Sequence, residues 1–311
     1  MSPVDDALAA LRRGGLVAIP TETVYGLAAD ASSAPAVRRI FAAKGRPADH
    51  PLIVHVGSAA ELAHWASTVP PAAARLASTC WPGPLTVLVP KAEHVLSVVT
   101  GGRDTVGVRV PAHPLALELL ARFGGGLAAP SANHFGHVSP TTADHVRRDL
   151  GALVEVILDG GPCPIGVEST IVDCTTNPAQ ILRPGGIPDE QISALLDGDL
   201  ADASGPSRAA GMLAAHYAPA CRVELAASRA EAERLAAAAV ELGERADVID
   251  GTADLAVYAR SLYGWLRDAD DRSLDLVVAV LPPPAGLGHA IRDRLTKAAA
   301  AVVRATRGRG G

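Results

Sequence analysis

Short apolar runs alternate with helix-patterned stretches along nearly the whole chain, which confines it to an α/β fold built on a sheet covered by helices. Residues 16–20, 51–56, 85–89, 106–110, 127–129 and 154–158 read as strands. Residues 35–43, 58–66, 71–79, 114–122 and 142–150 read as helices between them. Ahead of these, residues 3–13 place Val4, Ala7, Leu8 and Leu11 on one helical face and stop at Gly14-Gly15. Because hairpin signals are few, residues 1–200 are expected to form a twisted, mixed sheet with helices.

Several of these runs deliver polar groups at their ends, where open α/β sheets collect ligands. The first breaks into Thr21, Thr23 and Tyr25 before Gly26, and the helix that follows leads to Lys44-Gly45-Arg46-Pro47. Two cations bracketing a loop glycine suit an anion, since arginine forks two oxygens and lysine adds a compact point charge. Lys44 is one of three lysines among 28 lysines and arginines, so its place in that loop is not compositional drift. Arg109 lies inside the run 106–110, Ser131 and Asn133 follow the run 127–129, residues 166–173 carry Glu168 and Ser169, and Arg183 precedes Pro184-Gly185-Gly186. Taken alone, Arg109 fits a strand edge as well as a ligand clamp, and His55 fits the solvent face of an alternating strand as well as a site.

Beyond residue 200 the pattern changes. Residues 201–220 are rich in Asp, Ser, Gly, Pro and Arg and read as a linker, yet they contain His216-Tyr217, more chemistry than a spacer needs. Strands at 222–225, 247–249 and 276–280 then alternate with helices at 228–242, 254–266 and 289–304, a βαβαβα unit in which parallel strands are expected. The chain therefore divides into 1–200, a linker at 201–220, and a smaller domain at 221–311, a division that 311 residues can sustain. Aromatic residues make up only 3%, so both cores must rest on Leu, Val, Ile and Ala.

Composition removes several function classes. A net charge of -5 argues against a protein held chiefly by the nucleic-acid backbone, although a local basic groove stays open. Cys80, Cys163, Cys174 and Cys221 form no C-x-x-C pair, so neither a zinc ribbon nor a redox motif is indicated, and reduced thiols in cytosol are expected. No secretory pattern opens the chain and no run of 18 apolar residues occurs, so a soluble, cytoplasmic protein with no membrane contact is expected. Gly124-Gly125-Gly126 precedes a strand instead of following one, no P-loop is present, and Ser131 lacks a nucleophile elbow.

The motifs PTETVYGLAAD (20–30), KGRP (44–47), HPLIVHV (50–56), WPGPLTVLV (81–89), VGVRVPAHP (106–114), AAPSAN (128–133), SPTTADHV (139–146), LDGGPCPIGVESTIVD (158–173) and ILRPGG (181–186) occur in that order. Jointly they resemble the threonylcarbamoyl-AMP synthase family, and HYAP (216–219) with GLGHAIRDRLTKAA (286–299) resembles its long form. That resemblance implies a YrdC-like twisted mixed sheet followed by a smaller Rossmann-like α/β domain. It also implies a nucleotidyltransferase reaction in which L-threonine, bicarbonate and ATP, with Mg²⁺, give threonylcarbamoyl-AMP and pyrophosphate. The product then serves the threonylcarbamoyl modification of adenosine 37 in tRNA, installed by a separate transferase machinery.

Carried over by motif, Lys44, Arg46 and Arg109 would be the catalytic cations. Lys44 and Arg46 would contact the ATP phosphates, with His50, Thr105, Ser131, Asn133, Ser139 and Arg183 around the nucleotide, and His216 and Tyr217 closing over the mouth. Arg109 would clamp the threonine carboxylate, helped by Thr23, His55, Ser169 and the backbone at Ala129, with Tyr25 lining the same cleft. No protein side chain is assigned to a metal. The chain departs from the family at His50, where Asn is common, and at Ala210 and Ala215, where the linker usually has Pro and Lys. Two other readings share these features. A double-stranded RNA-binding module, contacting tRNA or another duplex, would use the same cationic cleft without turnover, and a hydrogenase-maturation carbamoyl-transfer domain shares the core motifs but comes with zinc-finger modules that four scattered cysteines cannot build.

Overall fold

The structure, a computed structural model, describes residues 2–198, 200–201, 203, 208–209, 211–212 and 216–307; the side chains of 302–307 fall outside that description. The larger sheet contains β1 (Val17–Ile19), β2 (Gly26–Asp30), β3 (Ile53–His55), β4 (Leu85–Pro90), β5 (Thr105–Arg109), β6 (Leu127–Ala128), β7 (Val156–Ile157), β8 (Thr170–Asp173), β9 (Ala179–Arg183) and β10 (Leu200–Ala201). Their spatial order is β10-β9-β8-β4-β5-β3-β6-β2-β1-β7. The smaller sheet, β11 (Arg222–Ala226), β12 (Ala246–Ile249) and β13 (Leu276–Val280), is ordered β11-β13-β12 and wholly parallel.

The larger sheet is mixed, as the alternation predicts, but it holds more antiparallel neighbours than the scarcity of hairpin signals suggests. The sequential pairs β1–β2, β4–β5 and β8–β9 are all antiparallel. None of them is joined by a two-residue turn: the β4–β5 connection carries the helix Ser97–Thr100, the β1–β2 connection is the six residues 20–25 that hold the threonines of the site, and β8 and β9 are joined by the five residues 174–178. Strand β2 itself, Gly-Leu-Ala-Ala-Asp, lacks β-branched residues and leaves no strand signature.

Local signals end elements where the site needs them. Ser33 caps the helix Ala34–Lys44 by accepting from Ala36 N, and Gly45 closes it in the left-handed conformation at φ 61°. That stop turns Lys44 and Arg46 back toward the sheet. Helix Pro3–Arg12 packs with Pro114–Phe123 on one face, where Leu8, Leu11, Leu119 and Leu127 share a cluster, while the helix Ala34–Lys44 covers another part of the sheet through Val37 and Ile40.

The two sheets are not independent bodies joined by a thread. Val24, Val138 and Val167 of the first share one buried cluster with Tyr217 and with Tyr258, Leu262, Tyr263 and Leu295 of the second. Gly166, at φ 83°, admits the helix Leu255–Asp271 so closely that a Cβ there would lie 2.4 Å from Arg260 Cα. Arg267 on that helix forks Asp149 at 2.9 and 2.6 Å and also donates to Val138 O. All four cysteines are free. Among the described residues no helix is long and apolar enough to cross a membrane. Much of the expected linker, including Ala210 and Ala215, lies outside the described residues.

Candidate active site

Sheet pairing brings the polar strand ends together. His55 ends β3 directly opposite Arg109, which ends β5, and Leu127 of β6 pairs with His55 from the other side. The chain leaving β6 passes through Ala129 and Pro130 to Ser131, which bridges to Gly26 at the start of β2. Ser169 precedes β8, and Arg183 ends β9 opposite Ile171. These residues line one cleft with Thr21, Thr23, Arg46, Glu168, His216 and Tyr217.

Each arginine is braced by groups that fix its direction. Arg109 donates from Nε to Gly83 O at 3.2 Å and from Nη2 to Thr23 Oγ1 at 3.0 Å, while Glu22 Oε1 lies 2.7 Å from Nη2. Its Nη1 has no hydrogen bond or ion pair among the described residues, which leaves one donor edge for a ligand. Arg183 is fastened to Ser169 through the carbonyl at 3.1 and 2.8 Å and the hydroxyl at 3.0 Å. Arg46 donates to Pro51 O at 3.0 Å and stands over the Phe135 ring at 5.5 Å. Burial lowers its pKa to about 10, which still leaves it charged at neutral pH.

Lys44 sits behind this wall instead of in it. Its ammonium donates to Ser131 O and Asn133 O, both at 2.5 Å, so it pins the loop that follows β6. Burial, then the neighbouring Arg46, hold its pKa well below the ordinary lysine range.

Unsatisfied polar atoms mark where a ligand would complete the network. Arg46 Nε, His55 Nδ1 and His216 Nδ1 are buried without a hydrogen-bond partner, and all three residues line the cleft. Burial, with Arg109 close by, pushes His55 down to about 3. His216 is likewise held at about 3 by burial, with Lys44 and Arg46 adding to it. Both rings are therefore neutral near pH 7, each with one donor and one acceptor nitrogen. Glu168 is the one carboxylate among the lining residues. Although burial opposes its ionisation, Arg294 and Arg183 bring its pKa down to about 2. Its oxygens accept from Ser139 Oγ, Tyr263 OH and Arg294 Nε, each at 2.7 Å, so both are engaged by protein donors.

A family model described as telomere recombination matches residues 9–185, and one described as the threonylcarbamoyl-AMP synthase C-terminal domain matches residues 187–300. The threonylcarbamoyl-AMP synthase of Pyrococcus abyssi is 43% identical over 311 residues, covering 93% of this chain and 91% of the relative. The chain belongs to the threonylcarbamoyl-AMP synthase family. The Bacillus subtilis member is 40% identical over 322 residues, covering 95% of this chain and 92% of its own. Among solved structures, P. abyssi Sua5 complexed with L-threonine superposes with a TM-score of 0.90 at 42% identity, over 96% of this chain and 94% of that one.

Of the residues carried over from the synthase family, Thr23, Arg46, His55, Arg109, Ala129, Ser131, Ser169, Arg183, His216 and Tyr217 line the cleft together. Asn133 stands behind it with Lys44, its amide nitrogen held by His134 O and His137 O at 2.8 Å. Ser139 reaches it only through Glu168. His50 packs on Phe135, which in turn faces His216. Tyr25 points away, its hydroxyl donating to Gly161 O and accepting from Gly160 N. Thr105 does not line the cleft: it begins β5 four residues before Arg109, about 13 Å along a strand of ~3.3 Å per residue, so the two mark opposite ends. Sequence reasoning had no hold on Glu22 or Phe135 as site residues, and it placed Glu168 among the polar groups of 166–173 without giving it a role. Glu168 stands in the polar stretch Glu168-Ser169-Thr170, and its meaning depends on Arg294, far away in sequence.

Proposed function

We propose that this cleft converts L-threonine, bicarbonate and ATP into L-threonylcarbamoyl-AMP and pyrophosphate, a nucleotidyl transfer whose product supplies the threonylcarbamoyl group placed on tRNA by a separate transferase. The observation that carries the reading is the pairing of two anion subsites within one cleft. Arg109, with Nη1 uncommitted, sits beside neutral His55, and Arg46 and Arg183 stand on the nucleotide side. The relatives' printed activity and the threonine named with the P. abyssi structure agree with that arrangement.

Bicarbonate first joins the threonine nitrogen as a carbamate, with loss of water. A carbamate oxygen then forms a bond to the α-phosphorus of ATP while the bond to the bridging oxygen of pyrophosphate breaks. Such a transfer demands alignment and charge neutralisation more than covalent help. Arg109 holds the threonine carboxylate, Arg46 and Arg183 face the phosphates, and Lys44 fixes the Ser131–Asn133 backbone against which they lie. Magnesium, brought on the phosphate oxygens of ATP, would offset the charge that develops at the transferring phosphate. His216 and Tyr217 exclude water from the labile carbamate and adenylate.

Duplex RNA binding without turnover finds less support on this surface. Arg13, Arg39, Arg75, Arg122, Arg147 and Arg148 all pair with surface carboxylates, which leaves little uncompensated positive charge for a phosphate backbone. Pyrophosphate release decides the matter. Release from ATP that needs both L-threonine and bicarbonate is the expected result, and release indifferent to threonine overturns the reading.

A further inference from the structure

Thr21 and Thr23 lie in the turn from β1 to β2, both buried and both lining the cleft, yet they differ in what each has left to offer. Thr21 Oγ1 stands 2.6 Å from Val24 O. A carbonyl can only accept, so the single hydroxyl hydrogen of Thr21 is committed there. The same oxygen accepts from Thr23 N at 3.1 Å and from Val24 N at 3.2 Å, and it lies 2.8 Å from Thr23 Oγ1. Only one direction across that last contact agrees with the first. If Thr21 turned its hydrogen to Thr23, its oxygen and Val24 O would face each other at 2.6 Å with no proton between them. The hydrogen between the two threonines therefore belongs to Thr23.

That assignment fixes what Thr23 shows a ligand. Its hydrogen goes to Thr21, and one lone pair accepts from Arg109 Nη2 at 3.0 Å. A hydroxyl oxygen carries two lone pairs, so one acceptor position remains and no donor. Beside it, Arg109 keeps Nη1, which can only donate. The two residues thus have one polarity, donor at Arg109 and acceptor at Thr23. A 2-amino acid complements it, with its carboxylate on the guanidinium and an N–H on the threonine hydroxyl, whereas a carboxylate placed the other way round would meet a filled lone pair. The nitrogen keeps one hydrogen after bicarbonate joins it as a carbamate, so the contact survives that step.

We propose that Thr21 is a positioning residue for the amino-acid side of the cleft: by taking the Thr23 proton it holds Thr23 as an acceptor. Thr21 lines the cleft but has nothing left for a ligand, since its hydrogen and its lone pairs are used within the turn. It acts through Thr23. Valine at position 21 has nearly the same shape but cannot take that proton, so the Thr23 hydroxyl is released to rotate and the ligand N–H loses a fixed acceptor. The turn does not depend on the Thr21 hydroxyl alone. Ile165 N donates to Glu22 O and Tyr25 N to Pro140 O, each at 2.9 Å, and Ala132 N donates to Tyr25 O at 2.8 Å.

The test uses the full chain with Thr21→Val, Thr21→Ser, Thr23→Val and the double variant Thr21→Val/Thr23→Val. Its kinetic arm rests on the synthase reading; the hydrogen positions in the free protein do not. In pyrophosphate release, Thr21→Val is expected to raise the KM for threonine ~10-fold while the KM for ATP stays within ~2-fold. Thr21→Ser, which keeps the hydroxyl, should restore the threonine KM to within ~2-fold of the wild type, and Thr21→Val should add little to Thr23→Val. Neutron diffraction from deuterium-exchanged crystals of the ligand-free wild type should place the Thr21 deuterium toward Val24 O and that of Thr23 toward Thr21. A threonine KM untouched by Thr21→Val, a serine variant no better than the valine one, both KM values rising together, or additive effects in the double variant would each overturn the proposal, as would a Thr23 deuterium aimed into the cleft. If the wild type releases no threonine-dependent pyrophosphate, the synthase reading fails alone, and the neutron map still decides which threonine holds the proton.

Discussion

Arg109 shows how a buried cation can be both stable and available. Glu22 offsets its charge, Gly83 O and Thr23 fix two of its nitrogens, and the third faces the cleft. Arg109→Lys keeps the charge for Glu22 but cannot reproduce a planar fork, so the fold should survive while the KM for threonine rises ~10–100-fold, as expected for losing a charge-assisted hydrogen bond. Steady-state pyrophosphate release at varied threonine checks it, and an unchanged KM would place the carboxylate elsewhere. His55 carries a pH prediction. Its folded pKa of about 3 lies below the ordinary 6.5, so the unfolded chain takes up a proton that the folded one refuses. Its destabilising effect is absent above pH 6.5 and grows as pH falls toward 3. His55→Gln should therefore lose less stability than the wild type between pH 6.5 and 4, read from denaturation midpoints. That Arg109, His55 and Thr23 share a cleft could be carried over from the family motifs, whereas the pairing of Glu22 could not, although it adjoins Thr23 in the same motif, since it appears only when β5 brings Arg109 beside it.

At the scale of elements, the strands written in Leu, Val and Ile were legible and those written in small residues were not. The run 106–110 announces β5 almost to the residue, but β2 is Gly-Leu-Ala-Ala-Asp and depends on its neighbours β1 and β6 for its conformation. The expected helix over 58–66 divides into a 3₁₀ turn, Ala59–Glu61, and the single α turn Leu62–Trp65. Close approach between elements leaves even less trace, because glycine permits it without saying what approaches. Gly166 is such a position: with φ at 83° and Arg260 Cα 2.4 Å from where a Cβ would stand, Gly166→Ala must displace the helix Leu255–Asp271 or the strand entry beside it. Overpacking of this kind costs about 1–3 kcal/mol, and the left-handed backbone adds to it. The expected result is a lower denaturation midpoint together with faster amide exchange in residues 255–271, and a midpoint matching the wild type would mean that the helix can shift freely.

Across the whole molecule, the division into a mixed sheet and a parallel one could be read from the order of runs, but the dependence of the cleft on both could not. Glu168 is the point where they meet, accepting from Ser139 of the first domain and from Tyr263 and Arg294 of the second. Its folded pKa of about 2 lies below the ordinary 4.5, so its contribution to stability is fully present above pH 4.5 and is lost as pH falls through 4.5 toward 2. A shift of that size corresponds to stability on the order of 3 kcal/mol, held at the contact between the domains. Glu168→Gln should remove this acid-dependent loss and also lower stability at pH 7, since it leaves buried Arg294 with Asp293 as its remaining carboxylate, a smaller loss than the ~3–5 kcal/mol of a buried charge left with no partner. Replacing both, as Glu168→Gln/Arg294→Met, removes the under-compensated cation, leaves Asp293 paired with Lys297, and should recover part of that loss while keeping the flat acid response. Denaturant midpoints of the three proteins at pH 7 and pH 4 separate these terms. If the single variant matches the wild type at pH 7, the two domains are held by their shared apolar cluster and the buried ion pair serves the cleft alone.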